Sequence, residues 1–228
     1  MPTFDLAKSS LRELNAALHS ARPDANDTEW RVLNPRGTHA IAVGLDAPLT
    51  VEVDGSVGYY CAGMNKHATV IVNGSAGQGV AENMMSGRVH VKGDASAAAG
   101  ATACGGLLVI DGNASARCGI SLRGLDIVVK GNVGHMSAFM AQAGNLVVLG
   151  DAGEHLGDSL YEAHIYVRGT VKSLGTDCIE KVMREEHRSE LRRVLDAAGL
   201  PEVQPSEFRR FGSARKLYNF HIDNIGAY

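Results

Sequence analysis

Between residues 50 and 170, short runs of alternating or continuous apolar residues recur at a fixed interval. The runs TVEVD, TVIVN, RVHVK, LLVID, DIVVK, NLVVL and HIYVR each lead into a glycine. Those glycines, Gly55, Gly74, Gly93, Gly112, Gly131, Gly150 and Gly169, stand nineteen residues apart throughout. Period-two alternation, or a short apolar run closed by a turn residue, predicts a strand. Two positions after each glycine come Val57, Ala76, Ala95, Ala114, Val133, Ala152 and Val171, always small and apolar. Seven positions after come Ala62, Ala81, Gly100, Gly119, Ala138 and Gly157, smaller still.

A period of this size, with strands in register, predicts an all-β fold: a parallel β-helix of about nineteen-residue coils. Equivalent positions then stack about 4.8 Å apart, and six coils from Gly55 to Gly169 make a prism about 29 Å tall. The recurring glycines are expected at corners that need positive φ. The stretches GSAGQG (Gly74 to Gly79) and GNVGHM (Gly131 to Met136) look like phosphate-cradling loops. However, the next strand follows too soon for the helix that such a loop feeds, and the Walker lysine is missing.

A solenoid has two open ends, and the flanking segments supply covers. Leu6, Leu11, Leu14 and Leu18 predict a short amphipathic helix near the N-terminus, suited to cap the prism or to meet a partner. The segment TDCIEKVMREEHRSELRRVLDAAGL predicts a helix over about 177–198, opened by Asp177 with Glu180 and stopped by Gly199 and Pro201. It is expected to cap the last coil. The remaining segment has no helical or strand period but gathers Phe208, Phe211, Tyr218, Phe220 and Tyr228 among basic residues, as an interface would. Residues 1–34 are thus assigned to an N-terminal arm, 35–175 to the β-helix, 176–200 to a capping helix and 201–228 to an extended tail. Removing 201–228 is expected to leave the solenoid folded.

With 25 acidic and 22 basic residues, the formal charge of -3 gives no field that would draw nucleic acid or a membrane surface. The opening residues do not read as an apolar leader, and no run approaches the roughly 20 apolar residues of a membrane span. A cytoplasmic location is expected. The four cysteines, Cys61, Cys104, Cys118 and Cys178, lack CxxC spacing and are expected as free thiols. Cys61 and Cys118 share a phase but lie three coils apart, roughly 14 Å, too far for a disulfide.

Candidate chemistry is sparse. Asp151, Glu154, His155, Asp158 and Glu162 form the richest polar set, yet match no strong ligand motif and are expected to be surface charge. His67, His90 and His164 fall at different phases and form no ladder, and His135 is expected at a surface corner. No catalytic, cofactor-binding or metal-binding residue is assigned. Met64, Met84, Met85, Met136 and Met140 fit either an adaptable outer surface or the core.

The repeated block, clearest in GSAGQGVAENMMSGRVHVKGDASAAAGATACGGLLVIDGNASARCG, resembles the GXGXG domain. That domain is the right-handed β-helix ending the large subunit of glutamate synthase, and a related one forms part of formylmethanofuran dehydrogenase. The likeness covers about residues 35–175 and rests on Gly74, Ala76, Ser86, Gly87 and Gly93. With its EFRRFGSARKLYNFHIDN segment, the chain is most similar to the small β-helical subunit of N-methylglutamate synthase. This resemblance implies a complex that converts glutamate and methylamine to N-methylglutamate and ammonia. Its other subunits would be a class II amidotransferase-like chain and an FMN-containing, glutamate-synthase-like chain with an iron-sulfur cluster. The present chain would be a non-catalytic brace that helps form the ammonia passage. The alternative is the equivalent subunit of a split glutamate synthase or of formylmethanofuran dehydrogenase, and a self-sufficient β-helical enzyme or binding protein is a third reading. Pro2, where an amidotransferase needs its nucleophilic cysteine, and the lack of a cysteine cluster or βα-barrel pattern leave the partners' chemistry outside this chain.

Overall fold

The computed structural model describes residues 1–21 and 28–215. Its centre is a right-handed parallel β-solenoid. After a short strand β1 (Thr3–Asp5) and a helix α1 (Leu11–Ser20), the chain enters β2 (Glu29–Leu33) and β3 (Thr50–Asp54). Strands β4 (Thr69–Val72), β5 (Arg88–Val91), β6 (Leu107–Ile110), β7 (Arg123–Val129), β8 (Ala143–Val148) and β9 (His164–Val167) then follow one per coil. All pair in parallel with their sequence neighbours, and Val51, Val70, Val89, Leu108 and Ile127 stand in line at nineteen-residue steps. The small apolar column forms a second ladder of single bridges from Val57 to Val171.

Each strand turns two side chains inward. Val70 and Val72, Val89 and Val91, Leu108 and Ile110, Ile127 and Val129, and Ile165 and Val167 are all fully buried. Burying each contributes about 1.5–3 kcal/mol, and the stack makes one continuous core. Cys61 and Cys118 join it as free, fully buried thiols.

The glycine corner works differently from the sequence expectation. Of the seven spaced glycines only Gly55 has φ in the left-handed region, at +134°. The others are required by close approach. A Cβ on Gly131 would lie 2.6 Å from Asn113 Oδ1 and 2.7 Å from the Gly112 carbonyl, and one on Gly150 would lie 2.6 Å from the Gly131 carbonyl. The same glycines bond coil to coil, Gly112 N–H to Gly93, Gly131 to Gly112 and Gly150 to Gly131, at 2.9–3.0 Å. Contact between neighbouring backbones leaves no room for a side chain.

Positive φ occurs elsewhere, at three alternate positions of every coil. The sets Tyr60, Ala62, Met64; Gly79, Ala81, Asn83; Ala98, Gly100, Thr102; Arg117, Gly119, Ser121; Met136, Ala138, Met140; and His155, Gly157, Ser159 are all left-handed. For a non-glycine residue this conformation costs roughly 1–2 kcal/mol, offset here by the intercoil hydrogen bonds that it aligns. Tyr60 N–H reaches the Gln78 carbonyl, Ala62 that of Ile41, and Met64 that of Glu82, at 2.8–2.9 Å. The middle column faces inward, and a Cβ on Gly100 would meet Ile127 Cδ1 at 2.7 Å, which explains its small residues.

Both ends are covered. Helix α1, opened by a Ser10–Glu13 capping box, buries Leu14 and Leu18 in the solenoid core. Asn15 ties it down by donating to the Ala40 carbonyl at 2.9 Å and accepting from Ala42 N–H at 3.0 Å. At the other end the predicted helix over 177–198 is shorter and displaced. Residues Cys178–Lys181 form strand β10, and helix α2 spans Glu185–Ala197. The exposed Glu180 and Val182 break the apolar stripe, and β10 is held by β11 (Arg209–Ser213), antiparallel to both it and β9. Part of the tail, which shows no strand period in the sequence, is therefore a strand that covers the β9 edge, with Phe211 opposite Ile165 and buried in the core. Phe208 is buried beside α2. Removing 201–228 takes away these residues, so that cut bares the β9 edge and part of the core as well as the tail. Tyr218, Phe220 and Tyr228 lie outside the described residues.

Gly131→Ala is expected to lower the unfolding free energy by about 1–3 kcal/mol, the usual cost of overpacking, as read by urea denaturation. An unchanged midpoint would contradict the close-contact account of the corner.

Candidate functional site

The outward positions of the sheet change character along the stack. On β4 and β5 they are Thr69, Ile71, Arg88 and His90, all partly exposed, whereas on β6 to β9 Leu107, Val109, Val128, Val147 and Tyr166 are buried. Helix α2 accounts for the difference. It lays Leu191, Val194 and Leu195 on this outer face, followed by Leu200, Val203 and Phe208. It therefore covers the flank of the solenoid and not its open end, a correction to the expected cap. The runs LLVI and LVVL are continuously apolar because both faces of the sheet are buried there. Arg88 donates to the Ala197 carbonyl at 2.6 Å, placing a cation at the helix C-terminus, and Arg193 pairs with Asp126 at 2.9 Å.

Beneath the first turns of α2 lies a polar network. One Glu190 carboxylate oxygen accepts from His164 Nδ1 and from the Tyr166 hydroxyl, each at 2.7 Å, while the other accepts from Asn145 at 3.4 Å. The hydrogen bond from His164, reinforced by that from Tyr166, holds the Glu190 carboxyl down to about 2 from 4.5. The His187 ring stands edge-on to His164 at 5.4 Å, and its Nδ1 accepts from Arg184 N–H. Burial, then the positive charge of Arg210, lower the His187 pKa from 6.5. The network fastens α2 to β8 and β9. Beside it opens a cleft of about 490 Å³ lined by Glu162, His164, Lys181, Arg210 and Arg215, suited by charge to an anionic group.

The polar set of the last full coil is divided among several tasks. Asp151 accepts from the backbone and hydroxyl of Thr170, Asp158 accepts from Ser159 and Thr176, and Glu162 lines the cleft. Glu154 and His155 meet His135 from the preceding coil, their ligand atoms all within 4.8 Å of one another. His67 is 3.6 Å from Asp46, and His90 is 2.9 Å from Asp111, which also takes Lys130 at 2.8 Å. Of the methionines, Met84 is fully buried, whereas Met64, Met85 and Met140 are exposed and Met136 is half-buried.

Sequence reasoning missed a column one position after each glycine: Ser56, Ser75, Asp94, Asn113, Asn132, Asp151 and Thr170. From Ser56 through Asp151, a side-chain oxygen of each accepts from the backbone N–H of the residue above, at 2.7–3.2 Å. The signal was there, because every member is a short polar residue that can reach its neighbour's backbone. The cysteines do not fit an iron-sulfur cluster. They sit on separate coils, and burial pushes the Cys61 and Cys118 thiols up to about 12, away from the thiolate that iron needs. Among the described residues, no helix is long and apolar enough to cross a membrane.

No protein-family model matches the chain. It is similar to Protein GlxC of Rhizobium meliloti (strain 1021), with 65% identity over 228 residues covering 100% of both chains.

The two shifted groups fix a pH window. His187 has a depressed pKa, so its contribution is complete above about pH 6.5 and declines as pH falls below that value, where the unfolded chain takes up the proton first. Glu190 contributes fully above about pH 4.5 and is lost as pH falls toward 2. Urea unfolding across the acid range is expected to show both declines, with His187→Gln shrinking the first, which it shares with His90, also held below 6.5 by burial. Glu190→Ala is expected to cost about 1–2 kcal/mol at neutral pH, the lower range for hydrogen bonds to a partly wet charge. A Glu190→Ala protein as stable as the parent would refute the fastening role.

Proposed function

Because the chain belongs to the GlxC family, we propose that it is the non-catalytic β-helical subunit of an N-methylglutamate-synthase-type complex. Family membership and the solenoid fold together support a role in a glutamate-synthase-like assembly. The finer reading is that the chain braces a class II amidotransferase-like subunit against an FMN-containing, glutamate-synthase-like subunit, and helps form the passage for ammonia between them. FMN and the iron-sulfur cluster belong to that partner, and the complex works in the cytoplasm.

The observation that carries this reading is the continuous parallel pairing from β2 to β9, with a single register shift between Arg123 and Asp126 where β7 meets β8, doubled by the side-chain ladder at the corner. Each coil is bonded to the next at several points, so the rod resists bending and twisting. A rigid spacer fixes the distance and orientation of two active sites that must pass an intermediate, which spares the loss of ammonia to solvent. The exposed Tyr59, Met64, Met85 and Met140 offer adaptable apolar contacts to chains docked on the rod.

Affinity purification of the tagged chain from its own cells, with intact-complex mass spectrometry and a visible spectrum, is expected to yield an amidotransferase-like chain and a yellow flavoprotein. The preparation should form N-methylglutamate only when both glutamate and methylamine are supplied. A chain that emerges alone and colourless would overturn the assignment, and a flavoprotein complex indifferent to methylamine would overturn the substrate.

A further inference from the structure

At the corner between the fifth and sixth coils, His135, Glu154 and His155 converge on the surface of the rod. His135 and Glu154 occupy the same phase of the repeat one layer apart, and their backbones are fixed by the ladder: Arg117 N–H donates to the His135 carbonyl and Met136 N–H to that of Glu154. His155 is held in the left-handed conformation, φ +56°, with its N–H on Ser173 Oγ at 3.0 Å. That conformation turns its ring toward the layer below, edge-on to the His135 ring at 5.4 Å between centroids. Elsewhere in the same phase stand Tyr59, Gln78, Ala97, Ala116 and Ser173, so the paired imidazoles and carboxylate are particular to this corner.

We propose that His135, Glu154 and His155 form a binding site for a first-row transition-metal dication, with zinc as the ion of choice. Two neutral imidazoles and one carboxylate are a donor set that suits zinc, and water completes the tetrahedron. Ligand atoms around tetrahedral zinc lie about 3.4 Å apart. The three groups, now within 4.8 Å, close to that distance by side-chain rotation alone, since all three are exposed. Glu154 is at present paired with Lys172 at 2.8 Å, but both partners are largely solvent-exposed. Such a pair is weak, and a dication displaces it. The ion ties one coil to the next at a place where the backbone is already positioned, so ordering costs little.

Isothermal titration of the chelator-treated full chain with Zn²⁺ is expected to show one strong equivalent, and Co²⁺ should give the visible absorption of a tetrahedral site. His135→Ala and His155→Ala should each weaken binding by roughly tenfold or more. Lys172→Met should strengthen it by freeing Glu154, a response that scattered surface histidines would not give. Zn²⁺ should raise the melting temperature of the parent and not of the His135→Ala, His155→Ala double variant, whose metal-free melting confirms its fold. Absence of zinc binding, or one-equivalent binding undiminished in the double variant, would overturn the site.

Discussion

The molecule depends on how closely one coil approaches the next at the glycine corner. There the carbonyl of one glycine lies where the next glycine's Cβ would stand, and the same pair is joined by a hydrogen bond. The contact sets the rise of the stack. Once the rise is set, the strands fall into register, Val70 beneath Val89 and Leu108, and the short polar side chains of the adjoining column reach the backbone above. Small residues at the inward left-handed column follow from the same rise, because the turn must pass close to Leu125 and Ile127.

A stack of this kind grows by repetition and has to be stopped. The chain stops it with unlike devices. At the start, a capped helix lowers Leu14 and Leu18 onto the core and satisfies coil backbone through Asn15. At the finish, the direction of pairing reverses, since β11 runs antiparallel to β9 and drops Phe211 into the interior. β10 lies outside β11 as the last strand of the sheet. Helix α2 is then free to serve the flank, where Glu190 gathers His164, Tyr166 and Asn145 from two strands. The half of the sheet left bare by α2 keeps outward residues that are partly exposed and, Ile71 apart, polar on β4 and β5.

The repeat was legible in the sequence because each coil obeys the same local rules, so the spacing of seven glycines and two columns of small residues disclosed the solenoid. What the glycines do was not legible. Their need comes from a neighbour nineteen residues away, whereas spacing alone suggested positive φ. The left-handed columns were hidden because Tyr60, Arg117, Met136 and His155 adopt that conformation under intercoil hydrogen bonding, against their own preference. Beyond residue 176 the repeat ends, and with it the basis for reading. A strand at Cys178–Lys181 and the seat of α2 both depend on contacts with β11 and the sheet face. The meeting of His135 with Glu154 and His155 was latent in the nineteen-residue step, since 135 and 154 share a phase.

The bracing role we propose requires a rod that is rigid along its length, and amide hydrogen exchange of the free chain tests this. The corner amides of Gly93, Gly112, Gly131 and Gly150, with those of Asn113, Asn132 and Asp151, bond only to the coil beneath. They are expected to exchange through global unfolding alone, with one common free energy along the stack. Middle coils that exchange by separate local openings would contradict the account of the solenoid as a single rigid unit.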